Sequence, residues 1–167
     1  MRSLQKPLGT AWISKTALVS MIKEFLRRLP NETGGVLVGY WLADSEGVVI
    51  TNVVGPGPCA KHGKISFVPD ASYHESEIAR LYEESGRLHA YLGDWHSHPD
   101  STTRLSLTDR HTLLKIAKHV DARVRTPLMA VIGESDPLTL QIWQHRPASV
   151  FGIRSSKIVA LKIREFD

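Results

Sequence analysis

The chain has 167 residues, 42% of them hydrophobic and 23% charged, which predicts one domain spanning 1–167 with room for a real core. Its net charge is +4 and its pI about 9.3, but the lysines and arginines are interleaved with acids, so a solvated basic face is the reading and a nucleic-acid site is not. No apolar run approaches the roughly 20 residues of a membrane helix, the opening MRSLQKPLGTAW lacks the apolar stretch of a secretory signal, and the single cysteine, Cys59, excludes an intrachain disulfide or a cysteine-rich zinc site and fits a reducing cytoplasm.

In chain order, SKTALVSMIKEFLRRL predicts a helix. Ser14 is its N-cap, and Leu18, Met21, Ile22, Phe25 and Leu29 recur at helical spacing until Pro30 and Asn31. TGGVLVGYWLA and VVITNVVG read as two strands joined by a turn at DSEG. PGPCAKHGK is a loop and ISFVPD a short strand. ASYHESEIARLYEESG is a second helix with Tyr73, Ile78, Leu81 and Tyr82 on its apolar stripe and Gly86 beyond its end. LHAYLGDWHSH is a strand stopped by Pro99, and SLTDRHTLLKIAKHV a third helix. PLMAVIGE and LTLQIWQH are strands joined at SDP, and KIVALKIREF closes the chain as one strand. The order α-β-β-β-α-β-α-β-β-β predicts an α/β fold, a mixed sheet flanked by helices.

The informative stretch is GDWHSHPDSTTRLSLTD, residues 93–109. Side chains alternate faces along a strand, so His96 and His98 share one and Trp95 points the other way. Two imidazoles on one face at a strand end suit zinc, and a catalytic site needs a third ligand with one position left to water. Asp109, 11 residues after His98, can supply it from the first turn of the third helix. Such a metal brings the pKa of water to about 7. Ser106 and Asp109 also fit a helix capping box, so Ser106 is either a cap alone or a hydroxyl facing a developing anion. Glu32, in NETGGVLVG, is the candidate general base, although a glutamate after Pro-Asn also reads as a solvated loop residue. The histidines at 62, 74, 89, 111, 119 and 145 have no ligand-like spacing with this stretch, and Cys59 reads as a loop or structural cysteine.

Taken together, Glu32, then His96-Ser97-His98, seven residues, Ser106, two residues and Asp109, resembles the signature of the JAMM (JAB/MPN) zinc metallopeptidase superfamily. The resemblance covers about residues 10–145 and implies the α-β-α sandwich of that family. It implies Zn2+ bound by His96, His98 and Asp109, with Glu32 as the acid/base and Ser106 as oxyanion partner. The family's usual reaction is hydrolysis of the bond after the C-terminal glycine of ubiquitin or a ubiquitin-like modifier, with the substrate tail extended beside the site. YLGDWHSHPD and SLTDRHTLLKIA resemble the compact bacterial members of anti-phage CBASS operons, which free a cyclic-nucleotide synthase from proteins joined to it. The resemblance leaves open two alternatives, processing of a sulfur-carrier protein and an inactive MPN binding scaffold.

Overall fold

The computed structural model describes residues 9–43, 47–99, 102–134, 137–150 and 153–167. In chain order the elements are β1 (Thr10–Ser14), α1 (Lys15–Arg28), β2 (Gly34–Trp41), β3 (Gly47–Val54), β4 (Lys61–His62), β5 (Phe67–Val68) and α2 (Ala71–Glu84). They continue with β6 (Ala90–His98), α3 (Leu107–Lys118), β7 (Leu128–Gly133), β8 (Thr139–Val150), β9 (Ile153–Ala160) and β10 (Lys162–Phe166). The predicted turns at DSEG and SDP fall largely on positions 44–46 and 135–136, outside the described residues.

Eight strands form one mixed sheet in the order β10-β1-β3-β2-β6-β7-β8-β9, and β4 and β5 pair as a separate ribbon. Strands β9 and β10 occupy opposite edges, yet only Leu161 separates them in sequence. The sheet therefore curls until its edges approach. Leu161 marks the passage, donating its N–H to the Ile142 carbonyl at 2.9 Å while its own carbonyl accepts from Gln141.

Helix α1 lies on one face of the sheet. Its Ala17, Met21 and Phe25 are buried with Ile13, Leu37, Ile50, Leu92, Trp95, Leu128, Ala130 and Ile132. Ser14 caps it as expected, accepting from the Ala17 N–H at 3.1 Å. Helices α2 and α3 cover the other face. Tyr73, Ile78 and Leu81 pack on Val36, Val38 and Val54, and Leu113 packs with Met129 and Val131. Strand β7 shows the division directly, because Leu128, Ala130 and Ile132 join the first core and Met129 and Val131 the second.

Four sequence expectations are corrected. TAWIS forms β1, a strand that prediction missed, because its pairing is parallel and long-range, to β3 and β10. The single closing strand is two, broken where the chain changes sheet edge. LTLQIWQH extends to Val150 through Pro147; β7 pairs only with its first half, so a proline lacking an N–H is tolerated in the second. The ISFVPD strand shrinks to Phe67–Val68, paired with Lys61–His62 from the supposed loop.

Candidate active site

Strand β6 brings the two histidines to the helix-covered face formed by α2 and α3. Its alternation is reset upstream by an irregularity opposite Leu37 and Val38, where Gly93 takes φ +147° and a Cβ would lie 2.0 Å from the Leu128 carbonyl oxygen. Beyond it the period of two holds. Trp95 and Ser97 are buried, and Trp95 donates Nε1–H to the Val54 carbonyl at 3.0 Å. His96 and His98 face the opposite way into a cleft of about 650 Å³, lined also by Glu32, Phe67, His74, Asp94, Ser106 and Asp109.

Three ligand candidates converge. His96 Nε2 and His98 Nε2 are 3.0 Å apart, and the Asp109 carboxylate lies 3.2 Å from the first and 3.5 Å from the second. Among the described residues these form a group whose donor atoms all lie within 4.8 Å. Bonds of about 2.0–2.1 Å in a tetrahedron give edges of about 3.3 Å, so the spacing and the N, N, O donor set fit a zinc-sized cation. The His98 Nδ1–H donates to the Thr102 carbonyl at 2.9 Å, which leaves the Nε2 lone pair for a metal.

Asp109 sits at the start of α3 in a full capping box. Ser106 Oγ accepts from the Asp109 N–H at 3.1 Å, and Asp109 Oδ2 accepts from the Ser106 N–H at 2.7 Å. Burial works against ionisation of Asp109, but its contacts with His96, His98 and Ser106 hold its carboxyl well below the usual range. The Asp109 carboxylate in turn raises the pKa of His98 against the opposing effect of burial. Ser106 is exposed to the cleft.

Glu32 lies just before β2 and is half-buried in the same cleft. Burial raises its pKa, partly offset by attraction to His96 and His98. Its placement depends on residues that sequence reasoning left out. Thr33, next in the chain and fully buried, donates its N–H to Ser97 Oγ at 2.9 Å, while its carbonyl accepts the Ser97 N–H at 2.8 Å. The middle residue of His-Ser-His thus fastens the Glu32 segment to the histidine strand, a role signalled only by its core-facing parity. At Gly34, opposite His96 in the register, a Cβ would lie 2.4 Å from the Trp95 carbonyl oxygen and 2.9 Å from the Phe67 ring, so only glycine lets strand and ribbon close. Below the histidines, Asp94 accepts from the Tyr91 hydroxyl at 2.7 Å, and burial raises the pKa of both.

The remaining histidines do not join the cluster. His74 is buried against the Gly55 carbonyl at 2.8 Å, and His111 is exposed. Cys59 is an exposed free thiol. No helix among the described residues is long and apolar enough to cross a membrane.

A curled mixed sheet with helices on both faces, and a His-His-Asp cluster sharing its cleft with a glutamate, define an α/β enzyme of the JAMM metallopeptidase class. The family model for prokaryotic homologs of the JAB domain matches residues 14–146, and the chain belongs to that family. It is 38% identical over 122 residues to a "Probable metalloprotease y4qB" of Sinorhizobium fredii, covering 72% of this chain and 74% of that protein. It is 28% identical over 140 residues to a "CD-NTase/cGAS isopeptidase" of Enterobacter hormaechei, covering 81% and 73%. The solution structure of protein DSY2949 from Desulfitobacterium hafniense shares the fold, with a TM-score of 0.66 at 16% identity over 94% of this chain and 93% of that one.

Proposed function

We propose that this chain is a zinc-dependent isopeptidase, one catalytic domain acting in the cytoplasm, that cleaves the bond after the C-terminal residue of a ubiquitin-like modifier or of a protein conjugated in the same way. Relatives named CD-NTase/cGAS isopeptidase support a conjugated nucleotidyltransferase of bacterial anti-phage defence as the substrate. The observation that carries the reading is the approach of two imidazole nitrogens and one carboxylate to 3.0–3.5 Å in a cleft lined by Glu32.

On this reading His96, His98 and Asp109 hold the metal. A bound Zn2+ would acidify a water molecule and polarise the scissile carbonyl. Glu32 accepts one proton as the water oxygen bonds to the carbonyl carbon. Ser106 Oγ already accepts the Asp109 N–H, so its own proton is free to donate to the oxyanion. When the C–N bond breaks, Glu32 returns its proton to the departing amine. An extended tail would lie along the cleft between the β4–β5 ribbon and α3.

The test combines metal analysis with turnover of a modifier–protein conjugate. Wild type is expected to carry one zinc per chain and to lose activity on chelation. Glu32→Gln should keep the zinc and lose about 10²–10⁴-fold in kcat, whereas His96→Ala should lose both. Wild type that neither holds zinc nor gains activity when it is added would refute the reading.

A further inference from the structure

Glu32 is gripped by the β4–β5 ribbon through its backbone. Its N–H donates to the Gly63 carbonyl at 2.8 Å, and its own carbonyl accepts from His62 Nδ1 at 2.9 Å. The Gly63 N–H donates to the Ser66 carbonyl at 2.8 Å, closing the ribbon's turn. The next residue, Thr33, is held from the opposite side by Ser97. Glu32 is therefore placed by two elements, the histidine strand β6 on one side and a ribbon residue 30 positions away on the other.

The far nitrogen of the same ring shows what His62 is for. His62 Nε2 is buried and has no hydrogen-bond partner among the described residues. An unmatched buried nitrogen is unfavourable. The ring also packs on Phe67, with centroids 5.3 Å apart. Packing alone would be served better by phenylalanine, which fills the same space without the orphaned atom. What phenylalanine cannot supply is the Nδ1–H that meets the Glu32 carbonyl.

We propose that His62 is a positioning residue for the reaction: its Nδ1–H fixes the Glu32 backbone and couples the acid/base to the ribbon that walls the substrate cleft. The inference rests on Glu32 being the acid/base. A displacement of about 1 Å at a reacting group can cost about 100-fold in rate, so loss of this clamp acts on kcat.

Two substitutions separate the donor from the ring. His62→Phe keeps the ring on Phe67 and loses the donor. His62→Asn loses the ring and keeps a side-chain N–H close to the Nδ1 position. With zinc-loaded full-length enzyme and a modifier–protein conjugate, His62→Phe should lower kcat about 10- to 100-fold with zinc content unchanged. His62→Asn should keep kcat within about threefold of wild type while its melting temperature falls. Wild-type kcat in His62→Phe, or an equal loss in both variants, overturns the proposal. Glu32→Gln is assayed beside them: if it keeps full activity, the acid/base reading has failed, whereas a dead Glu32→Gln beside a fully active His62→Phe defeats only the role of His62.

Discussion

Removing the Ser97 hydroxyl tests whether the histidine strand places the acid/base segment. In Ser97→Ala the Thr33 carbonyl keeps its bond from the Ser97 N–H at 2.8 Å, so little is lost there. The Thr33 N–H, however, loses its 2.9 Å acceptor at a fully buried residue. An orphaned buried donor costs about 1–3 kcal/mol. For a chain of this size that corresponds to a fall in melting temperature of roughly 3–10 °C. The measurement is thermal unfolding of the chelator-treated protein, which removes any stabilisation from bound metal. Ser20→Ala serves as control, because Ser20 makes an exposed bond to the Thr16 carbonyl within α1. Ser97→Ala should also lose turnover in excess of its zinc content, since Glu32 precedes the freed residue. A melting temperature within about 1 °C of wild type, with normal kcat, would refute the argument that this hydroxyl joins Glu32 to the histidine strand.

Ser106→Gly separates helix capping from chemistry: glycine at an N-cap costs only a few tenths of a kcal/mol relative to serine, so unfolding should barely change while kcat falls about 10²–10³-fold. Full activity in that variant would leave Ser106 as a cap alone. Asp109→Glu retains the commoner capping-box residue but moves the carboxylate outward by one methylene, so zinc content should fall while α3 stays folded. Retention of one zinc per chain would count against Asp109 as a ligand. Glu24 links α1 to the same region, accepting from Arg28 Nε at 2.9 Å and from Thr33 Oγ1 at 3.2 Å. Burial works to raise its pKa, but hydrogen bonds from Arg27 and Arg28 bring it below the ordinary value. A depressed carboxyl stabilises the fold above its unfolded pKa of about 4.3 and loses that contribution as pH falls through the folded value. The melting-temperature gap between wild type and Glu24→Gln should therefore be widest at neutral pH and close on acidification; a gap constant from pH 7 to pH 3 contradicts this assignment.

The parts legible in the sequence are those governed by local period. A spacing of two put His96 and His98 on one face and Trp95 on the other. Ser14 and Ser106 cap helices, and Gly86 follows α2 with φ +68°. What local period cannot carry is pairing across distance. TAWIS is only five residues long and becomes β1 through partners near residues 47 and 162. KIVALKIREF reads as one strand because nothing in its composition reveals that the chain crosses between sheet edges at Leu161. Glu32 reads as a candidate base from its place before a Gly-rich strand, but no local period brings it beside His96, and His62, in a segment read as loop, carries no signal at all. Its partner is a backbone carbonyl, and a carbonyl leaves no mark on the sequence.

Ser106 and Asp109 presented two readings of one Ser-x-x-Asp spacing, a helix cap or a catalytic pair. The two readings are compatible in the structure because each group has more than one bonding site. Asp109 gives Oδ2 to the Ser106 N–H while its carboxylate also meets His96 and His98. Ser106 Oγ accepts the Asp109 N–H through a lone pair, which leaves its proton uncommitted. On the proposed reading, the cap is the device that orients the Asp109 carboxylate as a ligand. A carboxylate on a free side chain would lose rotamer entropy on binding a metal; here the first turn of α3 has already fixed it. The same economy appears in β6, where Ser97 faces inward to anchor Thr33 and the histidines on either side face outward into the cleft.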